Sequence, residues 1–189
     1  MITICKEVSL MSMLAKIVLL GDGGVGKTAL RKSYLGQGFQ TKYVMTIGAD
    51  FSVKQEIIEG REWKFQIWDL AGQQRFEMVR ALYYAGTIGA ILVFDVTRPD
   101  SLLNLKNWID ELHIHSHRKD VPLLIVANKI DIRQDESHVS TDQGQEFAVR
   151  LSKELQGTSI RFIETSAKTG LNVVKAFKEL AESIKELMT

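Results

Sequence analysis

One glycine-rich segment restricts the possible folds of this chain more than any other: residues 21–28 read Gly-Asp-Gly-Gly-Val-Gly-Lys-Thr. An apolar run, residues 14–20, precedes it, and residues 29–33 continue it in a helical pattern. A strand, a glycine-rich loop and a helix in this order are the context that the pattern G-x-x-x-x-G-K-[ST] requires. Glycines let successive backbone N–H groups converge on one point, and a helix N-terminus adds its positive dipole end. The segment therefore predicts a phosphate-binding loop.

Two side chains of this loop add what backbone amides lack. Lys27 supplies a positive charge for the β- and γ-phosphates of a nucleotide, and the Thr28 hydroxyl can bind Mg²⁺. An ordinary glycine-rich turn is the alternative, but the strand and helix around the pattern favour phosphate. The residues predicted to contact the ligand here are Asp22, Gly23, Gly24, Val25, Gly26, Lys27, Thr28 and Ala29.

Composition limits the class of protein. A chain of 189 residues with 25% charged and 45% hydrophobic residues fits one globular domain. Its net charge of +1 and scattered basic residues give no case for a nucleic-acid partner. The single cysteine, Cys5, excludes an internal disulfide and suits a reducing compartment.

The N-terminus has two interpretations. Residues 8–15 resemble a short signal-peptide core behind Lys6, but Glu7 cancels that charge, and cleavage after Ala15 would remove part of the strand before the phosphate loop. We therefore predict a loosely ordered extension over 1–13, a single domain over 14–189, and a start at Met1, Met11 or Met13.

Strand-like and helical patterns alternate along the chain. Strands are predicted at 15–20, 48–59, 62–69, 89–96, 122–127 and 161–164, and helices at 27–36, 74–85, 101–117, 141–155 and 170–188. Glu59-Gly60 is a turn signal that makes the second and third strands an antiparallel hairpin. Asp100 and Ser140 are predicted helix caps. This order predicts an α/β fold, a doubly wound and mostly parallel six-stranded sheet that binds its ligand at the carboxyl ends of the strands.

Two short motifs fall at that edge of the sheet. Asn128-Lys129-Ile130-Asp131 follows the fifth strand, and Ser166-Ala167-Lys168 follows the sixth. The Asp131 carboxylate can accept two hydrogen bonds from guanine, which adenine cannot offer, and an unpaired buried carboxylate costs about 1–3 kcal/mol or more. The Lys129 stem can cover the base, and the Ala167 N–H can reach the guanine carbonyl. Each motif alone could simply close a turn, but together with the phosphate loop they predict guanine.

The sequence resembles the Ras superfamily of small GTPases from about Lys16 onward, and within it the Rab family. The segments that carry the Rab resemblance are residues 47–51, 65–76 and 83–84, with Ala49, Leu70 and Gln74 departing from the usual Val, Thr and Glu. The resemblance implies the P-loop NTPase fold of a small G domain. It also implies a monomeric switch that binds GTP and GDP with Mg²⁺ and slowly hydrolyses GTP to GDP and phosphate.

The resemblance assigns further roles. Thr46 becomes a ligand of Mg²⁺ beside Thr28, and Asp69, at the end of the third strand, holds the ion through a water. Phe39 leans on the base and Tyr43 closes over the phosphates, although Phe39 could be core and Thr46 could merely start a strand. The implied catalytic residues are Gln73, which orients the attacking water, Gly72, whose N–H senses the γ-phosphate, Lys27 and Thr46.

The chain offers no arginine that we expect to stabilise the γ-phosphate in cis, and Gly23 leaves room for one supplied by a partner. A supplied arginine is worth roughly 10³–10⁵ in rate. We therefore expect slow hydrolysis that an activating protein accelerates, with an exchange factor to restore GTP. A scaffold that keeps its nucleotide without turnover is the alternative, whereas Asp131 argues against an ATPase.

Two surface features have competing interpretations. Phe51, Trp68 and Tyr83 match the aromatic triad through which Rab-like proteins meet effectors, although aromatic residues in strands are usually core. His113, His115 and His117 resemble a metal cluster, but only His113 and His117 share a helical face, so a solvated helix end is the better interpretation.

The sequence also gives an expectation about membranes. The longest uncharged apolar run, 87–94, is far shorter than the ~18 residues of a membrane span. A typical Rab tail carries prenylated cysteines, whereas this chain ends at Leu187-Met188-Thr189. We expect a cytoplasmic, lipid-free protein that reaches membranes only through a partner, unless Cys5 is acylated or the apolar stretch 8–14 inserts into the membrane.

Overall fold

The computed structural model describes residues 12–39, 45–135 and 137–188 and contains one six-stranded sheet. The strands are β1 (Met13–Leu20), β2 (Ala49–Ile58), β3 (Arg61–Leu70), β4 (Gly89–Asp95), β5 (Leu123–Asn128) and β6 (Ile160–Glu164). Their order is β2-β3-β1-β4-β5-β6. Only β2 and β3 are antiparallel, and every other neighbouring pair is parallel. The predicted α/β fold is confirmed.

The antiparallel pair is closed by the predicted two-residue turn. Ile58 of β2 pairs with Arg61 of β3, so that Glu59 and Gly60 alone connect them. Both turn residues have positive φ, 49° and 73°. Such a turn matches the right-handed twist of the flanking strands.

Helices join the parallel strands. They are α1 (Lys27–Tyr34), α2 (Glu77–Ala81), α3 (Pro99–Leu103), α4 (Leu105–Ser116), α5 (Thr141–Glu154) and α6 (Val173–Met188), with 3₁₀ turns at Gln74–Phe76 and Ile130–Ile132. None of the described helices is both long and apolar enough to cross a membrane.

Two predicted helices and one predicted cap were wrong in detail. The helix predicted over 74–85 is a 3₁₀ turn followed by the five-residue α2. The helix predicted over 101–117 starts at Pro99 and is divided at Asn104, and Asp100 lies inside it rather than capping it.

Ser140 does cap α5: its hydroxyl accepts the Gln143 N–H at 3.2 Å, and the Gln143 side chain accepts the Ser140 N–H at 2.8 Å. This reciprocal pair is a capping box.

Two apolar cores cover the two faces of the sheet. One core contains Leu30 of α1 and Phe177 of α6, and the Phe177 ring stacks on Tyr34 at 3.6 Å. The other contains Leu112 of α4 and Phe147 of α5. Because residues of β4 contribute alternately to both cores, the whole strand is buried, which explains its continuous apolar sequence.

The topology brings five strand ends to one edge of the sheet. β1, β3, β4, β5 and β6 are mutually parallel and run toward the same edge. The last residues of β4 and β5, Asp95 and Asn128, are paired in register. The loops that follow these strands therefore meet in one place, where an α/β sheet binds its ligand.

Candidate functional site

The phosphate loop leads from β1 into α1 through a backbone that tolerates little besides glycine. Gly26, the residue before α1, has φ 104°. A β-carbon there would lie 2.2 Å from the Asn128 side-chain nitrogen, so the loop packs directly against the end of β5. The glycine is thus required both by conformation and by close approach.

Lys27 is the first residue of α1, and its side chain is buried. Its ammonium donates to the carbonyl oxygens of Gly21 and Asp22, the second at 2.9 Å. Burial lowers the pKa of Lys27 from its ordinary value to about 8, although the carboxylates of Asp69 and Asp22 act in the opposite direction. A buried cation of this kind would be stabilised by an anionic ligand.

Three oxygen-bearing side chains meet beside Lys27. The Thr28 hydroxyl donates to Asp69 Oδ2 at 2.5 Å and lies 2.9 Å from the Thr46 hydroxyl. Asp69 is fully buried, its Oδ1 has no hydrogen-bond partner among the described residues, and burial raises the pKa of its carboxyl. Hard oxygen donors around a carboxylate that lacks a full set of partners fit Mg²⁺.

The loop after β3 lies against the phosphate loop. A β-carbon on Gly72 would lie 2.4–2.5 Å from backbone atoms of Asp22 and Gly23, so the two backbones are in direct contact. A β-carbon on Gly23 would meet the Gln73 side chain at an ordinary 3.6 Å. The Gln73 amide donates to the Met45 sulfur. The predicted catalytic glutamine therefore lies beside the phosphate loop.

Asn128 connects the phosphate loop to the motif after β6 that we predicted to contact the base. Its side-chain nitrogen donates to the Val25 carbonyl at 2.9 Å. Its side-chain oxygen accepts from the Ala167 N–H at 3.1 Å and from the Thr165 hydroxyl at 3.2 Å. The Ala167 N–H, which we predicted to face guanine, thus has a protein partner in this structure.

Asp131 is held in place by the motif after β6. The Ser166 hydroxyl donates to Asp131 Oδ1 at 2.7 Å, and the Lys168 ammonium lies 3.9 Å from Oδ2. Lys129 has a left-handed backbone, with φ 69°, and its ammonium donates to Asp95 Oδ2 at 2.6 Å. The two predicted motifs therefore form one cluster of polar groups at the sheet edge.

A single cavity of about 780 Å³ joins these groups. The predicted residues that line it are Gly23, Gly24, Gly26, Lys27, Thr28, Ala29, Phe39, Thr46, Gly72, Gln73, Asn128, Lys129, Asp131, Ala167 and Lys168. Asp22, Val25, Asp69 and Ser166 lie behind the lining and hold it through the bonds above. Tyr43 lies outside the described residues.

Sequence reasoning missed several residues of the site. The apolar side chains of Met45, Ile47 and Ile132 also line the cavity. Asp22 is held from α4 and from the residue before it, since Trp108 Nε1 and Asn104 Nδ2 donate to its two carboxylate oxygens, each at 2.9 Å. These partners are 82 and 86 residues away in sequence, and no local pattern indicated them.

Arg80 of α2 is another missed residue. It is 2% exposed and donates to the backbone carbonyls of Ala71 and Gln73 at 3.0 and 2.6 Å. Its other nitrogens donate to both oxygens of Glu111 on α4, at 2.8 and 2.7 Å. Tyr84 donates to the same carboxylate at 2.9 Å. Arg80 therefore fixes the backbone on both sides of Gly72.

We expect Glu111→Ala to lower the free energy of unfolding by about 3–5 kcal/mol, because it leaves the buried Arg80 cation without its carboxylate. Urea unfolding at a fixed nucleotide concentration measures this change. Asp120→Ala is the matched control, since it breaks the exposed Arg118–Asp120 pair, whose contribution should be about 0–1 kcal/mol. Equal effects of the two substitutions would contradict the prediction.

The predicted aromatic triad forms one surface next to the site. The Trp68 ring lies 4.8 Å from that of Phe51 and 5.0 Å from that of Tyr83. Phe51 remains 45% exposed. Trp68 and Tyr83 are only partly exposed, because they pack against the core that contains Leu112 and Phe147, so Phe51 is the exposed member of the triad.

The three histidines have different surroundings. The His115 ring stacks on Tyr84 with the centroids 5.9 Å apart, and burial lowers the pKa of His113. Only His117 is exposed, so the predicted solvated helix end describes that residue alone. No group of three or more His, Cys, Asp or Glu within the described ranges could hold a metal ion.

Comparison with known proteins agrees with this geometry. The sequence model of the Ras family matches residues 16–186. Ras-related protein Rab-8B of Homo sapiens is 40% identical over 171 residues, 90% of this chain and 78% of that protein. Ras-related protein RABE1d of Arabidopsis thaliana is 39% identical over 176 residues, 93% of this chain and 78% of the relative. The matched region includes every loop that lines the cavity.

Proposed function

The chain belongs to the Ras family of small GTPases, and on that basis we propose that it is a molecular switch that binds GTP and GDP with Mg²⁺ and slowly hydrolyses GTP. One observation carries the proposal: a single cavity is lined at once by the phosphate loop, by Asp131 and by Gln73. The first two account for a guanine nucleotide, and the third accounts for hydrolysis. A plain nucleotide-binding scaffold would have no need of Gln73 beside Gly23.

The phosphate end of the cavity supports a positioning role for the backbone. The N–H groups around Gly24 and Lys27 hold the phosphates, and the Lys27 ammonium exchanges its carbonyl partners for phosphate oxygens. Thr28 and Thr46 would hold Mg²⁺ directly and Asp69 through a water, and the ion would neutralise charge on the phosphates. Placement and charge stabilisation dominate phosphoryl transfer, so these contacts are the main contribution of the chain.

Hydrolysis requires an attacking water in line with the γ-phosphate. We assign its orientation to the Gln73 side chain and the recognition of the γ-phosphate to the Gly72 N–H. Arg80 holds the carbonyls of Ala71 and Gln73, so this loop is supported before the nucleotide arrives. Because bound groups that are already in place lose little entropy on reaction, this support favours the proposed role of Gln73.

Loss of the γ-phosphate would release Thr46 and Gly72 from their contacts with it, and the surface that binds effectors would change conformation as a result. Phe51, Trp68 and Tyr83 are the residues that we propose as the effector surface, with Rab-like trafficking or signalling as the setting. An activating protein and an exchange factor would set the rates, as the slow hydrolysis expected of the chain alone requires.

Calorimetry with Mg²⁺ tests the ligand, and single-turnover hydrolysis tests the reaction. GDP and GTP should bind tightly and ATP barely, and bound GTP should convert slowly to GDP and phosphate. Comparable affinity for ATP would overturn the guanine assignment. Tight GTP binding without conversion would support the nucleotide-retaining scaffold instead.

We expect Thr28→Asn to weaken the binding of both nucleotides. The loss of affinity should be about ten times larger for GTP than for GDP. The Thr28 hydroxyl contacts both Asp69 and Thr46. Because Thr46 is proposed to bind Mg²⁺ only when GTP is present, loss of the hydroxyl should affect GTP more. Release of fluorescent GTP and GDP analogues with and without a chelator measures the difference. Thr158→Asn serves as the control, since its hydroxyl donates to the Lys119 carbonyl and Thr158 does not line the cavity. Parallel losses for both nucleotides would count against the metal role of Thr28.

A further inference from the structure

Asp95, the last residue of β4, carries a buried carboxylate between the two halves of the site. It is 2% exposed and does not line the cavity. Its Oδ1 accepts from the Thr97 N–H at 3.0 Å and the Thr97 hydroxyl at 2.8 Å. These local bonds suffice to close the turn after β4. Its other oxygen, Oδ2, is therefore available for a separate task.

Oδ2 faces two cations from different segments. The Lys129 ammonium donates to it at 2.6 Å, and Arg98 Nε lies 3.7 Å away. Lys129 belongs to the loop after β5, whereas Arg98 precedes α3. A buried carboxylate is favourable only when such charges compensate it, so Asp95 and the two cations depend on one another.

The contact with Lys129 fixes the part of that side chain that lines the cavity. The Lys129 side chain is one-third exposed, and its ammonium, at the end of the stem, is held by the hydrogen bond to Asp95. Its backbone is held in a left-handed conformation, with φ 69°, which is unfavourable for a residue other than glycine. A long side chain fixed at both ends loses less entropy when a base packs against its stem.

The contact with Arg98 reaches the phosphate loop. Arg98 Nη2 donates to the Gly23 carbonyl at 3.1 Å, while the same guanidinium faces Asp95. Gly23 lines the cavity. Asp95 is thus connected through one side chain to the loop that would cover the base, and through another to the loop that would bind the phosphates.

We propose that Asp95 is a positioning residue that holds the base-binding Lys129 and, through Arg98, the phosphate loop in the arrangement that retains a guanine nucleotide. The inference rests on the proposed function, because it names how the same site keeps its ligand. Asp95 touches no ligand and acts only through its two cations. Its loss should therefore speed nucleotide release without changing which base is preferred.

The test is a double-mutant cycle on GDP dissociation, measured by displacement of a fluorescent GDP analogue from the full chain. Asp95→Asn retains the size and the Oδ1 acceptor but loses the charge, and we expect dissociation to be about tenfold faster. Lys129→Met retains the stem and loses the ammonium. In the Lys129→Met background, Asp95→Asn should add less than about threefold, because its main partner is already absent.

Additive effects in this cycle would overturn the proposal and leave Asp95 a purely structural residue. Arg98→Gln gives an independent measurement on an exposed side chain that tolerates change: we expect about threefold faster release, and an unchanged rate would also count against the proposal. Asp120→Asn, which removes a carboxylate from the exposed Arg118 pair, is the matched control and should leave the rate unchanged. Failure of the unmodified chain to bind GDP would instead refute the proposed function, and this inference with it.

Discussion

Asp131→Asn is expected to lower the affinity for GDP by roughly 10²–10⁴-fold. Two hydrogen bonds from guanine to a carboxylate, at about 1.5–3 kcal/mol each, would be lost or reversed in polarity. The structure prepares this carboxylate, because Ser166 donates to one oxygen and Lys168 approaches the other. The amide nitrogen of the variant donates where the carboxylate accepted, so affinity for xanthosine diphosphate, which carries a carbonyl at that position, should rise.

Calorimetry with GDP and with xanthosine diphosphate measures both parts of this expectation. Asp135→Asn is the control, because that carboxylate lies in the same connection after β5 and accepts from the N–H and the hydroxyl of nearby Ser137. It should bind GDP as the unmodified chain does. An Asp131→Asn variant with unchanged GDP affinity would show that another group selects the base.

Gln73→Leu is expected to slow GTP hydrolysis by about 10²-fold and to leave nucleotide affinity within a factor of about three. Leucine has a similar volume but cannot orient water, and misplacement of a reacting group by about 1 Å can cost that much in rate. Since the Gln73 side chain lies beside the phosphate loop and not at the base, its loss should not disturb binding.

Single-turnover hydrolysis, with binding of a non-hydrolysable GTP analogue, separates the two quantities. Gln74→Leu is a close control, because its side chain is exposed and belongs to the neighbouring 3₁₀ turn. It should leave both quantities unchanged. Equal hydrolysis by the Gln73 variant and the unmodified chain would assign the water to another residue.

The sequence predicted those parts of the fold and site that depend on local pattern. The phosphate-loop glycines and the Glu59-Gly60 turn could be predicted because their backbone conformation depends on the local sequence. Strand β5 could be predicted because burial on both faces requires a continuous apolar sequence. Because each motif follows a parallel strand, the sequence also predicted that the motifs lie together at the edge of the sheet where those strands end. The residue roles themselves stay predictions until the variants are measured.

The parts that local pattern could not predict depend on distant contacts. Arg80 could not be assigned from its segment, because its partner Glu111 is 31 residues away. The same contacts explain why the helix predicted over 74–85 is short: the Arg80 guanidinium turns back to the carbonyls before α2, and Tyr84 is drawn into the core toward Glu111. Tertiary contacts here override a helical pattern that the sequence alone supports.

The two cores on opposite faces of the sheet have a consequence for the lifetime of the protein. The phosphate loop is connected to both cores: Lys27 begins a helix of one core, while Asp22 accepts a hydrogen bond from Trp108 of the other. A ligand bound in the cavity would therefore link elements that pack on opposite faces of the sheet. Binding at a thousand times its dissociation constant would add about 4 kcal/mol to the free energy of unfolding. Because proteases cleave unfolded chains, the proposed ligand would then also lengthen the lifetime of the protein, and a loss of ligand would shorten it.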